Sequence, residues 1–563
     1  MRIESAEING KLYDAGSLNI LVGKNNSGKS TLLKELCASS RSTFKRASGT
    51  KWVNYVVVET GGIKRLMDSI FTNNERLREV DELSARDAIR LLRPRAAGIA
   101  NQDDLSAFHG SRLSSIGSSS LYDNNGSIKV KLSPNADIEP FSSDPRYIVK
   151  YCIDLAASIC VKSEFCDTRL SESFETIIED VNDLEQSPVD QTAKLFCDQE
   201  SLCSLNAILE KVFGFRVGFD NIRQAKVYLR IIPQDIECDS FNNEVEKSHW
   251  WEVHSPKIKE QGDGIKAFLK LLMSLRDDSA SVIFIDEPET FLHPPQRRAI
   301  GEAIASAANC GKQIFVATHD ADVVRGMLTG EVSPNVLYLN GINGGHTVEK
   351  ISLTSLVDCG MSSKSAAKHG VQMMNEKVIN SLFFDKTILV ESENDRLIYE
   401  LFCQQRLYTE YQGKCFLGLN GSDTVLNLFD LMAASGMTVC CITDIDFLLS
   451  RDLSSREINA SDQFLRERHV AFANKMHSLN DYQKLKKRMK AEGISVLEGE
   501  LLDSARQLIE SYGRHGVHIV PVGELESWFS IPGKNGIASM VSQVQDDERD
   551  FAELTSFMKR VLE

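Results

Sequence analysis

The sequence has no stretch that looks like an export signal. Met1-Arg2-Ile3-Glu4-Ser5 lead into no apolar segment of the required length. It also lacks long hydrophobic runs: the longest, such as 281–285 and 387–390, are far too short to span a bilayer. Thirteen cysteines are present, but none forms a CxxC pair or stands near histidines at zinc-finger spacing. A disulfide scaffold and a zinc ribbon are therefore excluded, and Cys440-Cys441, inside an apolar run, reads as buried packing. No surplus of positive charge exists either. The formal net charge is −15, so composition alone does not point to a polyanionic partner, although a basic groove can sit on an acidic protein. There is no internal repeat. Together these absences predict a cytoplasmic protein in a reducing compartment, with no membrane contact.

What is present is length and an ordinary globular composition. At roughly 100–200 residues per domain, 563 residues predict about three or four domains with large cores. A hydrophobic share of 42% with 25% charged residues rules out a mainly disordered, collagenous or coiled-coil chain. Short Val- and Ile-rich runs alternate with longer helical stretches, which predicts an α/β protein with largely parallel sheets. The strands that matter are read at 18–22, 282–285, 314–317, 387–390, 439–442 and 517–522. The Ser/Asn/Gly-rich segment 110–127 reads as a loop and hairpin, and 154–211 reads as helical. A closing hairpin is expected from 336–339 and 346–351 around Asn343-Gly344-Gly345. Residues 356–384 read as a helical linker, dividing a first domain (1–355) from a second (385–563).

Gly23-Lys24-Asn25-Asn26-Ser27-Gly28-Lys29-Ser30 is a complete G-x-x-x-x-G-K-S phosphate loop, with a strand before it and a helix running on from Thr31. Such glycines let backbone N–H groups close on phosphate oxygens at a helix N-terminus, where the dipole favours an anion. Lys29 is placed to reach the β- and γ-phosphates of ATP and Ser30 to ligate Mg²⁺. The complementary acids end the run Val282-Ile283-Phe284-Ile285-Asp286-Glu287: Asp286 to hold Mg²⁺ and Glu287 to polarise the attacking water. Pro288-Glu289-Thr290-Phe291-Leu292-His293-Pro294 follows. A third strand ends at Thr318-His319-Asp320, which offers an imidazole to the γ-phosphate.

At these residues the sequence resembles the ABC-type ATPases, in the branch that includes chromosome-maintenance and break-repair enzymes. The resemblance implies that Asp286-Glu287 is the Walker B pair and His319 the switch histidine. It also implies a signature motif at a helix N-terminus, for which Gln261-Gly262-Asp263-Gly264 is the candidate. That places Gln261 and Gly264 against a nucleotide held by a second subunit. The long stretch between Lys29 and Asp286 implies an inserted helical arm within about 64–211, read as a dimerisation surface, with Gln102 as a candidate Q-loop residue.

The last 180 residues carry a second constellation. Lys386-Thr387-Ile388-Leu389-Val390 runs into Glu391-Ser392-Glu393-Asn394-Asp395, and Val439-Cys440-Cys441-Ile442-Thr443 runs into Asp444-Ile445-Asp446. Successive side chains on a strand alternate faces, so Asp444 and Asp446 are expected to point the same way. Clustered carboxylates at a strand end repel one another unless a proton or cation intervenes, and an all-oxygen ligand set favours Mg²⁺ or Mn²⁺. Glu391 and Asp395 join this set. Glu524 and Glu526, after the run 517–522, form a further pair for a second metal, and Asp452 is a weaker addition. Lys484, Lys486, Lys487, Arg488 and Lys490 form a basic helical patch suited to a nucleic-acid backbone.

Strand–Glu, the Gly turn at Asn420-Gly421-Ser422-Asp423 and strand–D-x-D resemble the TOPRIM domain of topoisomerases, bacterial primases and certain nucleases. No primase zinc site and no tyrosine in strand-passage context is visible, which leaves the nuclease subtype. ATPase plus C-terminal TOPRIM resembles the overcoming-lysogenisation-defect (OLD) family across nearly the whole chain. The resemblance implies an ATP-regulated, metal-dependent DNA endonuclease or nickase of anti-phage defence, assembled as a homodimer or tetramer, with an accessory component as a further partner. It also implies a catalytic lysine, for which Lys475 and the 484–490 cluster are the candidates. Two other readings stand beside it: an effector that cuts RNA such as tRNA, and a nucleotide-gated sensor or scaffold without nuclease activity.

Overall fold

The computed structural model describes residues 2–41, 52–59, 121–124, 127–132, 161–165, 174–177, 191–220, 226–233, 244–277, 280–342, 345–353, 355–356, 377–419, 421–450, 462–529, 536–546 and 548–563. Gln102, Asn420 and Asp452, and most of 64–211 and 356–384, lie outside these. The chain divides into two compact units, Met1–Lys350 and Ile351–Glu563.

The first unit is organised by a six-stranded sheet of β3 (Leu18–Val22), β7 (Val161–Glu164), β11 (Val282–Asp286), β12 (Gln313–Ala317), β13 (Asn335–Ile342) and β14 (Gly345–Ile351). Its spatial order is β14-β13-β3-β12-β11-β7, and the pairs from β13 to β7 are parallel. Strands covered on both faces read as continuous apolar runs, and β3, β11 and β12 are buried at every position. Register aligns Leu21, Ala317 and Asp286 across three strands, so the loops that follow emerge from one edge. An antiparallel sheet is built from β1 (Arg2–Ile8), β2 (Lys11–Asp14), β4 (Val53–Glu59), β5 (Leu121–Asn124) and β6 (Ser127–Leu132). A three-stranded sheet comprises β8 (Glu175–Ile177), β9 (Phe215–Asp220) and β10 (Lys226–Pro233).

The structure corrects the reading of 154–211 as helical. Helices occupy Gln191–Cys197 and Gln199–Phe213, but Val161–Glu164 is the edge strand of the nucleotide sheet and Glu175–Ile177 a strand of the third sheet. The first is only four residues long, too short to show a period of two against a helical background. The chain thus returns to the main sheet inside the segment read as an inserted arm.

The second unit holds a four-stranded sheet of β15 (Lys386–Val390), β16 (Lys414–Gly418), β17 (Val439–Thr443) and β18 (Val517–Ile519), all pairs parallel, in the order β16-β15-β17-β18. From β15 the chain moves outward to β16, then crosses to β17 and β18 on the other side. The strand order therefore reverses between β15 and β17. Open parallel sheets bind ligands at such a switch point, outside the carboxyl ends of the strands. Ile398, Tyr399, Phe402 and Cys403 of the helix Glu393–Arg406 pack with Phe529, Met540, Val544, Phe557 and Val561 in the core of this unit. Cys440 and Cys441 are buried in the sheet.

Candidate functional sites

In the first unit, the phosphate loop runs from β3 to the helix Lys29–Arg41 and is closed on its own lysine. Lys29 Nζ donates to the carbonyls of Gly23 (2.8 Å) and Lys24 (2.7 Å). Burial holds this ammonium below its ordinary pKa, against the pull of Glu289, Glu287 and Asp286. Ser27 Oγ is buried in the loop with no hydrogen-bond partner. Asn25, Asn26 and Thr31 line the exposed side. Ser30 Oγ donates to Asp286 Oδ1 at 2.8 Å, so a hydroxyl and a carboxylate suited to Mg²⁺ already face each other.

Glu287 and His319 stand together at the same sheet edge, 3.7 Å apart from Oε1 to Nδ1 and both about two-fifths exposed. The residue not singled out from sequence is Glu289. Its carboxylate is 4% exposed and accepts from Thr318 Oγ1 (2.9 Å) and His319 N (3.0 Å), and it pairs with His319 Nδ1 (3.0 Å). Burial alone would raise the Glu289 carboxyl, but the His319 hydrogen bonds hold it below its ordinary value. The hydrogen bond to Glu289 in turn raises the His319 imidazole. The only sequence signal for Glu289 was a second acid two places after Glu287.

The signature candidate lies at the start of a helix. The helix is Asp263–Arg276, with Gly262 as its N-cap. A Cβ on Gly264 would come 2.5 Å from the carbonyl oxygen of Phe291, so the turn packs against the loop after β11. Gln261 donates to the carbonyl of Lys257 at 3.4 Å.

In the second unit, Glu391 follows β15 and Asp444 follows β17, either side of the switch point. Glu391 Oε1 accepts from Asp444 N at 3.1 Å. Ser392 caps the helix Glu393–Arg406 by accepting from Asp395 N, which sets Asp395 in its first turn. Burial, then the charges of Asp446 and Asp395, push the Glu391 carboxyl up to about 7. Burial, then Glu391, Asp395, Glu524 and Asp446, push Asp444 up to about 8. The acids gathered here raise one another's carboxyls, and the orphaned hydroxyl of buried Thr443 lies at the end of β17.

Two sequence arguments are corrected here. Asp444 and Asp446 do not share a face by strand alternation: β17 ends at Thr443 and a 3-10 helix, Ile445–Leu449, begins. Nor do Glu524 and Glu526 end a strand, because β18 stops at Ile519 and Leu525–Phe529 is a 3-10 helix. Asp446 and Glu524 are joined instead through Lys490 Nζ, 2.9 Å from each. Burial alone would lower that ammonium, but these two partners hold it well above its ordinary value. Glu526 adds to the field at the buried Tyr399 hydroxyl, with Asp395 and Asp444. Among the described residues no three His, Cys, Asp or Glu side chains are yet close enough to hold one metal ion. The donor chemistry suits a divalent cation, and Lys490 carries the positive charge between two of the acids. Of the other candidate lysines, Lys475 pairs with Glu500 at the surface.

Comparison with known proteins agrees with both halves. Residues 164–325 match the family described as "AAA domain, putative AbiEii toxin, Type IV TA system". Residues 382–446 match the overcoming lysogenization defect protein-like TOPRIM domain. A curated relative, the Old nuclease of Escherichia phage P2, is 24% identical over 172 residues, which is 30% of this chain; the chain spans only 28% of that relative's length. Among solved structures, an SMC head bound to the C-terminal winged-helix domain of ScpA aligns with 63% of this chain and 99% of its own, at 13% identity and a TM-score of 0.37. The SMC head domain from Thermotoga maritima aligns with 62% and 99%, at 11% identity and a TM-score of 0.30. An AAA-type ATPase domain followed by an OLD-like TOPRIM domain is the architecture of the overcoming-lysogenization-defect family, and this chain has it.

Proposed function

We propose that this chain is an ATP-binding and ATP-hydrolysing, divalent-metal-dependent endonuclease or nickase that cuts DNA in anti-phage defence, with its nucleotide state controlling the cut. The observation that carries the nuclease reading is the meeting of Glu391 and Asp444 at the switch point, with both carboxyls pushed up by burial and by neighbouring acids. A scaffold has no need of such a cluster. A divalent cation bound there supplies an activated water and stabilises charge on the phosphodiester.

Glu391, Asp444 and Asp446 are the residues to hold that cation, with Asp395 and Glu524 supporting them. Lys490 is the cation to meet the scissile phosphate once it leaves Asp446 and Glu524, and Lys484, Lys486 and Lys487 extend positive charge along its helix. At the other site Lys29 and Ser27 engage the phosphates of ATP, Ser30 and Asp286 hold its Mg²⁺, Glu287 orients water and His319 faces the γ-phosphate. The exposed helix start at Gln261–Gly264 supports nucleotide-dependent pairing of two copies.

The test is the purified chain with Mg²⁺ or Mn²⁺, offered plasmid DNA and total tRNA side by side. Plasmid cutting that EDTA and Asp444→Ala abolish, with ATP binding retained, is the expected result. Cleavage of tRNA alone would replace the DNA reading by the RNA one. Undiminished cutting by Asp444→Ala would remove the nuclease assignment and leave the sensor.

A further inference from the structure

The loop after β11 contains two non-glycine residues in left-handed backbone, Glu287 (φ 49°) and Phe291 (φ 65°). For side chains of this size such a conformation is strained, and it persists only where surrounding contacts over-determine it. Glu289 lies midway between the two, and it is the buried anchor. Its two carboxylate oxygens take the Thr318 hydroxyl, the His319 amide and the His319 ring, all from the segment after β12. Arg297 closes the same seam from outside, donating to the Leu292 carbonyl (2.8 Å) and to Asp320 Oδ2 (2.6 Å). The Glu287 loop and the His319 loop are thus cross-linked, with Glu289 as the buried tie.

The contact with the ring has a chemical consequence. With Nδ1–H donated to Glu289, the imidazole is held by one nitrogen, and Nε2 is the atom left to face an incoming phosphate. The charged groups acting on this imidazole are Glu289 and Glu287 from the loop after β11 and Lys29 from the phosphate-loop helix. Of these only Glu289 is buried against it by two further hydrogen bonds.

We propose that Glu289 is the positioning residue of the ATPase site, acting through His319: it fixes the ring and sets Glu287 at its working distance from it. This rests on the ATPase reading above. Glu289→Gln keeps the volume but has one oxygen to accept from three donors. It should lower kcat for ATP roughly 10- to 100-fold while KM and equilibrium binding of a fluorescent ATP analogue change less than about threefold. His319→Ala should lower kcat at least as much, and Glu289→Gln added to it should cost almost nothing more, because the two act as a unit.

Thr318→Val removes one of the three hydrogen bonds at equal volume and should give a smaller kcat loss of the same kind. It keeps the test alive if Glu289→Gln does not fold. Wild-type turnover in both Glu289→Gln and Thr318→Val, or losses that simply multiply in the double variant with His319→Ala, would overturn the proposal while leaving the ATPase reading intact. A wild-type chain that neither binds nor hydrolyses ATP would overturn both.

Discussion

The proposed ATPase site gives Lys29 and Glu287 different roles, so their substitutions should separate. Lys29 Nζ is folded into the phosphate loop, on the carbonyls of Gly23 and Lys24, so Lys29→Ala should abolish ATP binding. Glu287→Gln removes the proposed water-orienting carboxylate but leaves the phosphate loop in place. It should bind ATP normally and slow turnover by roughly 10²-fold or more, read by equilibrium binding and single-turnover hydrolysis. The carboxylates of the second site make a separate prediction about pH. Free carboxyls titrate near 4, whereas Glu391 and Asp444 titrate at about 7 and about 8 in the folded chain. Between those limits these two carboxyls hold more protons in the folded state than in the unfolded state. Buried His469 and His518, both pushed down to about 4, act oppositely below about 6.5, so the metal-free protein should lose stability as pH rises from about 6.5 to 8, and Mg²⁺ or Mn²⁺ should restore most at the alkaline end. Calorimetry across that range, with EDTA and with metal, measures it. A metal-free stability that rose with pH would contradict the shifts.

At the scale of elements, the basic helix Tyr482–Glu492 is seated by a close approach that only glycine permits. Gly523 has φ 124°, and a Cβ there would stand 2.2 Å from the Lys490 carbonyl oxygen. Gly523→Ala should cost about 1–3 kcal/mol and much of the cleavage activity, because the helix carrying Lys490 must shift. Gly499 is a control: it too is left-handed, at φ 55°, but a Cβ there meets open space. Gly499→Ala should leave cutting unchanged and destabilise less in urea titration. These contacts explain what could be read in advance. The phosphate loop, β3 and the strands that lead into Asp286, Thr318, Glu391 and Asp444 were legible because each couples an unbroken apolar run to a turn or an acid. Lys490 appeared only as one of five basic residues, since its place depends on Gly523, far along the chain. Strand alternation failed at Asp444 and Glu524 because local 3-10 turns, which carry little sequence signature, replaced the strand. The run 517–522 proved too long; Pro521, within it, has no N–H to extend a ladder.

On the scale of the whole molecule, the nucleotide residues all fall within Met1–Lys350 and the carboxylates within Ile351–Glu563. Each unit has its own sheet, so damage at one site should leave the other chemically intact. Lys29→Ala and Asp444→Ala chains, each inactive in cutting alone, should regain partial activity when co-expressed, provided copies pair. Cutting no better in the mixture than in either alone would argue against assembly across chains. The separation into two units also has a genetic consequence. On the proposed function, a chain disabled only at Asp444 would still load ATP and compete for places in a complex of paired copies. Such an allele should be only partly dominant, because a mixed complex keeps one intact cutting site, whereas a chain that cannot fold its first unit should be recessive.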